Sequence, residues 1–145
     1  MKLPTTLHQD NASASKRYDQ LADHFSRFIK ATNFFSDPRS HFPQVKVQPT
    51  SDAHRLEVKF AGTHLRFQFL MIKTDERGIF AKVVCQRLEP HFAKDIEIIG
   101  KFTFDFRGQT EFDSDDGDKL DIEFGSPEII LYFLQLAISK EPSYC

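Results

Sequence analysis

This chain has no tryptophan, and glycine, cysteine and methionine are scarce, at six, two and two residues out of 145. The phosphate-cradling patterns G-x-x-x-x-G-K-S/T and G-x-G-x-x-G are missing, and so is the G-x-S-x-G nucleophile turn. Cys85 and Cys145 lie far apart with no C-x-x-C, which signals neither zinc nor a redox pair. No stretch reaches the roughly 20 apolar residues a membrane-spanning helix needs. The residues after Met1 lack the apolar core of a secretory signal, so the cytoplasm is the expected location. These absences weaken an enzymatic reading without removing it. They lead to no assigned catalytic residue, no metal and no cofactor.

Phenylalanine, at 16 residues, is what the chain has in excess. A phenyl ring buries a large area and carries no polar atom, so these residues suit a packed core first and a ligand cavity second. A length of 145 residues fits one domain with one core, with residues 1–12 expected as a flexible terminus. Of the two cysteines, Cys85 falls in a strand-like run and reads as a small hydrophobe, and Cys145 reads as an exposed thiol.

Tyr18, Leu21, Ala22, Phe25, Phe28, Ile29 and Thr32 follow the i, i+3, i+4, i+7 spacing, which predicts an amphipathic helix over 14–33 with a cap at Ser13 or Ser15. Asp23 and Arg27, four apart, support it. Asp37-Pro38 and Pro43 end it.

The middle of the chain alternates with period two. Val45 and Val47 form a short strand; Leu56, Val58 and Phe60 a second; Leu65, Phe67, Phe69 and Met71 a third; Ile79, Ala81, Val83 and Cys85 a fourth. Ala61-Gly62-Thr63 and Thr74 to Gly78 supply the turns. Ile96, Ile98, Phe102, Phe104 and Phe106 then share one parity, with Gly100 and Gly108 in register among them. Glu97, Lys101, Thr103, Asp105 and Arg107 take the other. Asp-Gly at 116–117 predicts a hairpin, and Leu120, Ile122 and Phe124 its return strand. Ser126 reads as an N-cap and Pro127 as the first helical residue. Helix, six or seven consecutive strands, helix is an α+β order: an antiparallel meander with the N-terminal and C-terminal helices packed on one face. In outline this resembles helix-grip and half-barrel architectures, a likeness of fold that does not carry function.

The last helix, from Pro127 to about Lys140, is apolar all round and must be covered on more than one side. The sheet and the first helix are its natural covers, which makes a monomer the default. If the first helix lies elsewhere, Ile130, Leu134 and Ile138 become a homodimer surface.

Charge is distributed unevenly. Glu111, Asp113, Asp115, Asp116, Asp118, Asp121 and Glu123 stand against Lys119 alone, a local net charge of −6 within a total of −2. Such a hairpin can steer a basic partner; its ordinary role is a solvated edge that resists pairing. A dedicated calcium loop is not expected, because placing Gly117 at position 6 puts Phe112 at position 1, and starting at Asp113 puts Gly117 at position 5. Lys46, Arg55, Lys59, Arg66, Lys82, Lys101 and Arg107 share the polar parity and could track a nucleic acid. Single-strand binders usually add outward rings, and here Phe80 is the clear exception among inward Phe. The six histidines form no H-x-x-x-H; His24 reads as a boundary residue, and Asp37 with His41 is the one pair left open. The reading chosen is a non-enzymatic protein-binding module, of inhibitor or immunity type, that binds a basic protein through the acidic hairpin. A nucleic-acid binder and a hydrophobic-ligand carrier are the alternatives.

Overall fold

The structure is a computed structural model and describes residues 1–37, 39–42, 44–49, 54–88 and 97–139. The expectations placed on Pro38, Pro43, Ile96, Lys140 and Cys145 fall outside these residues.

Helix α1 (Leu7–Ala31) runs into a short 3-10 helix, Thr32–Ser36. Seven strands follow: β1 (Lys46–Pro49), β2 (Arg55–Phe60), β3 (Thr63–Thr74), β4 (Gly78–Arg87), β5 (Glu97–Phe104), β6 (Gln109–Asp113) and β7 (Lys119–Asp121). Helix α2 (Ser126–Ile138) closes the order. All strands pair antiparallel with their sequence neighbours, β1 to β7, in one meander. This is the predicted α+β architecture.

Helix α1 begins six residues ahead of Ser13 and eight ahead of Ser15, which both lie inside it, and it covers part of the stretch read as a loose terminus. Residues 7–13 are exposed, so no apolar spacing marks them as helical. The Asp23–Arg27 pair forms at 3.0 Å on the solvent side. The β2–β3 turn is a two-residue loop with positive φ at both Ala61 (51°) and Gly62 (81°), the mirror-image turn whose twist suits a hairpin.

The inner face of the sheet and both helices enclose one core. Phe25 of α1 stacks on Phe69 of β3, and Phe28 meets Phe67 and Phe102 edge-on or tilted. Phe133 of α2 contacts the same Phe67 and Phe102, with centroids 5.6 and 5.8 Å away. Cys85 is fully buried among them, and burial raises its thiol pKa. Ile130 and Leu134 are buried as well, so they offer no dimer surface; Ile138 is exposed. Ser126 is not the cap. It is the first helical residue, and its hydroxyl donates to the Phe28 carbonyl at 2.8 Å, tying the start of α2 to α1.

One irregularity reverses part of the parity reading. Cys85 pairs with Gly100 but Gln86 pairs with Ile98, so Ile99 is an extra residue in β5. Such a bulge switches the side of every residue beyond it. Ile98 is therefore turned out, 58% exposed, while Ile99 packs on the core. Glu97, expected on the polar face, joins Arg87 on the inner side, Oε2 to Nε 3.7 Å. The Arg87 guanidinium also donates to the Ala137 carbonyl in the last turn of α2, where the helix end favours a cation.

Three further residues depart from the alternation. Phe106 lies beyond the end of β5 in the turn to β6 and is exposed. Met71 lies where β3 runs past the core and is exposed too. The return strand stops at Asp121, leaving Phe124 in the turn before α2 at 82% exposure.

Candidate functional site: the acidic hairpin and the groove beside it

The hairpin β6–β7 is held at its tip by Ser114. The Ser114 amide donates to the Asp118 carbonyl at 2.7 Å, and its hydroxyl reaches Asp116 Oδ1 at 2.8 Å. That hydroxyl is the first cause holding the Asp116 carboxyl below its usual range. Gly117, at φ 89°, supplies the left-handed residue the turn needs.

The seven acids divide by what they touch. Asp121 is structural: its Oδ1 accepts from the amides of Glu123 (2.8 Å) and Phe124 (3.2 Å) and shapes the entry to α2. Glu111 accepts from the Thr103 amide at 2.8 Å, which ties β6 to β5. Asp113 pairs with Lys119 at 2.8 Å on the surface. Asp115, Asp116 and Asp118 stand exposed around the tip, and Glu123 is half-buried beside the β7–α2 turn. The −6 stretch thus contains a compact trio of outward carboxylates, while those of Glu111, Asp113 and Asp121 are engaged in the fold.

The groove is the feature sequence reasoning missed. Phe112, Asp113 and Leu120 of the hairpin face Glu128, Ile129 and Tyr132 of α2 across a surface cleft of about 170 Å³. Phe112 and Tyr132 meet edge to face, centroids 5.5 Å apart, and Tyr132 is half-exposed. The cleft therefore joins an aromatic wall to Asp113 and Glu128, next to the acidic tip. Glu128 and Tyr132 are four apart on one helix. That spacing alone could have marked them as neighbours, but a helix apolar on all sides gives no sign of which stripe stays open.

Lys46, Arg55, Lys59, Lys82 and Lys101 do share the outer face, and Arg107 sits in the β5–β6 turn. Arg66 is engaged, with its Nη2 3.2 Å from Glu57 Oε1. Phe80, the outward ring, is 8% exposed and lies under the Arg77 guanidinium, 3.9 Å from its centroid, so it offers no open stacking platform.

The histidines serve separate places. His24 Nε2 bonds the Phe106 carbonyl at 2.9 Å, His54 meets the Tyr18 hydroxyl at 3.1 Å, and His64 Nε2 lies 3.3 Å from Glu57. The Asp37 carboxylate accepts from the Arg39 amide and guanidinium, and no bond to His41 is found among the described residues. Among those residues, too, no three His, Cys, Asp or Glu gather as a metal site, and no helix is long and apolar enough to cross a membrane. The space a lipid-like ligand would take between sheet and helices is filled by Phe25, Phe28, Phe67, Phe102, Phe104 and Phe133.

Comparison with family models, with curated proteins and with solved structures finds no match to this chain.

Proposed function

We propose that this protein is a binding module with no chemistry of its own, which recognises a basic partner protein in the manner of an inhibitor or immunity protein. The observation that carries this reading is the adjacency of two surfaces: the outward trio Asp115, Asp116 and Asp118, and the aromatic cleft of Phe112, Leu120 and Tyr132. Acids alone steer an encounter but add little lasting affinity, because exposed charge pairs are screened. A buried aromatic anchor ringed by polar groups is where interfaces concentrate their binding energy. The hairpin offers both within one patch. A partner with lysine or arginine around a protruding apolar side chain fits it.

The test uses the full chain as bait in extracts of cells that make it. Wild type is expected to retain a basic protein that elutes with salt. The combined Asp115→Asn, Asp116→Asn and Asp118→Asn variant, and separately Tyr132→Ala, should each release it. Equal capture of the same protein by all three baits would sink the proposal.

A further inference from the structure

At the opposite edge of the sheet from the acidic hairpin lies a second surface, on the outer face of β1, β2 and β3. Lys46 pairs directly with Lys59, and Lys59 directly with His64, so three basic side chains stand in one row across three strands. Like charges placed directly opposite in a sheet repel and weaken the pairing. Its nearest acid, Glu57, relieves only the His64 end of the row and touches neither lysine. Glu57 is engaged by Arg66 at 3.2 Å and by His64 at 3.3 Å; burial raises its pKa, and these two partners outweigh that and hold the carboxyl below its usual range. Both lysines are exposed.

The same three residues line an open surface groove of about 370 Å³, together with Gln44, Phe60, Thr63 and the Ala61-Gly62 turn. Gly62 has open space where a side chain would stand, so the groove reaches the backbone there. Two exposed lysine ammonium groups beside the His64 imidazole, with amide and hydroxyl donors from Gln44 and Thr63, suit a compact multivalent oxyanion, since each lysine meets it as a point charge.

From this convergence we infer that the groove between Lys46, Lys59 and His64 is a binding site for a phosphate group. The ligand is a small phosphorylated molecule or the backbone of a nucleic acid; the chemistry is shared. The site stands on different residues from the acidic hairpin, so it holds or fails independently of the protein-binding proposal.

Backbone-amide NMR of the full chain, titrated with inorganic phosphate, tripolyphosphate and a short single-stranded oligonucleotide, tests it. Saturable shifts are expected at residues 44–46 and 59–64. Lys46→Gln should weaken binding by about tenfold, the loss expected for one charged hydrogen bond, and Lys46→Gln with Lys59→Gln should abolish it. Preserved shift dispersion elsewhere shows that the variants fold. Saturation by tripolyphosphate identifies a small ligand as the source, and saturation by the oligonucleotide alone a nucleic-acid backbone; either upholds the site. No saturable response to any of the three probes, or an unchanged response in the double variant, overturns it.

Discussion

Phe133 of α2 lies over Gly100 of β5 so closely that a Cβ on that glycine would stand 2.9 Å from the ring's Cε1. The helix is seated on the sheet through the absence of a side chain. The ring has little room to withdraw, because Phe67, Phe102 and Phe112 surround it. Gly100→Ala is therefore expected to destabilise the fold by about 1–3 kcal/mol, the usual penalty for overpacking. Chemical denaturation checks this, with an unchanged m value showing that only stability moved. Adding Phe133→Leu should recover part of the loss, since contacting residues do not add independently.

Arg87 anchors the other end of α2. Its guanidinium holds the Ala137 carbonyl and lies beside Glu97, with both side chains almost wholly buried. Removing one member of a buried ion pair leaves the other charged in a poor solvent, at a cost of about 3–5 kcal/mol. Arg87→Leu should lower the urea midpoint accordingly. Arg87→Leu combined with Glu97→Gln should cost less than the two single changes summed. A loss within about 0.5 kcal/mol for Arg87→Leu, as for an ordinary surface change, would contradict this role.

Not every acid in the hairpin does the same job, and stability separates them. Asp121→Ala removes the acceptor of two turn amides and should cost about 1–3 kcal/mol. Asp115→Asn and Asp118→Asn remove only surface charge, so thermal unfolding should shift little or slightly upward. Equal losses at all three positions would show the partition to be wrong.

The pH dependence has a definite sign at each end. Glu57 has a lowered pKa in the folded chain, so its contribution is present above its unfolded value of 4.5 and is lost as pH falls through the folded value. Glu57→Gln should flatten the acid limb of stability against pH. Cys85 has a raised pKa, so the native thiol stays protonated while the unfolded one ionises. Stability should hold below the unfolded thiol pKa, 9.0, and decline as pH rises beyond it. In a Cys145→Ser background, Cys85 should resist thiol reagents until denaturant is added.

The pattern of strands was legible because most residues obey simple rules: Leu56, Val58, Leu65, Phe67 and Phe69 alternate inward, and Gly62 and Gly117 mark turns. What was not legible follows from local exceptions to those rules. The extra residue Ile99 leaves no compositional mark, yet it turns Ile98 outward and Glu97 inward. The start of α1 at Leu7 lies in a polar stretch with no buried stripe to announce it. The acidic hairpin was visible as a run of charge, but which carboxylates stay free depends on backbone amides that sequence does not place. The cleft at Tyr132 depends on how α2 is rotated against β6 and β7, a tertiary fact.

The most direct test of the protein-binding account is the rate at which the captured partner associates, followed by stopped flow across ionic strength. Electrostatic steering by Asp115, Asp116 and Asp118 predicts a rate that falls steeply with salt, and at least about tenfold slower association for the triple Asn variant at low salt. In that variant the salt dependence should also flatten. An association rate that is the same for wild type and variant, with the same response to salt, would contradict the account.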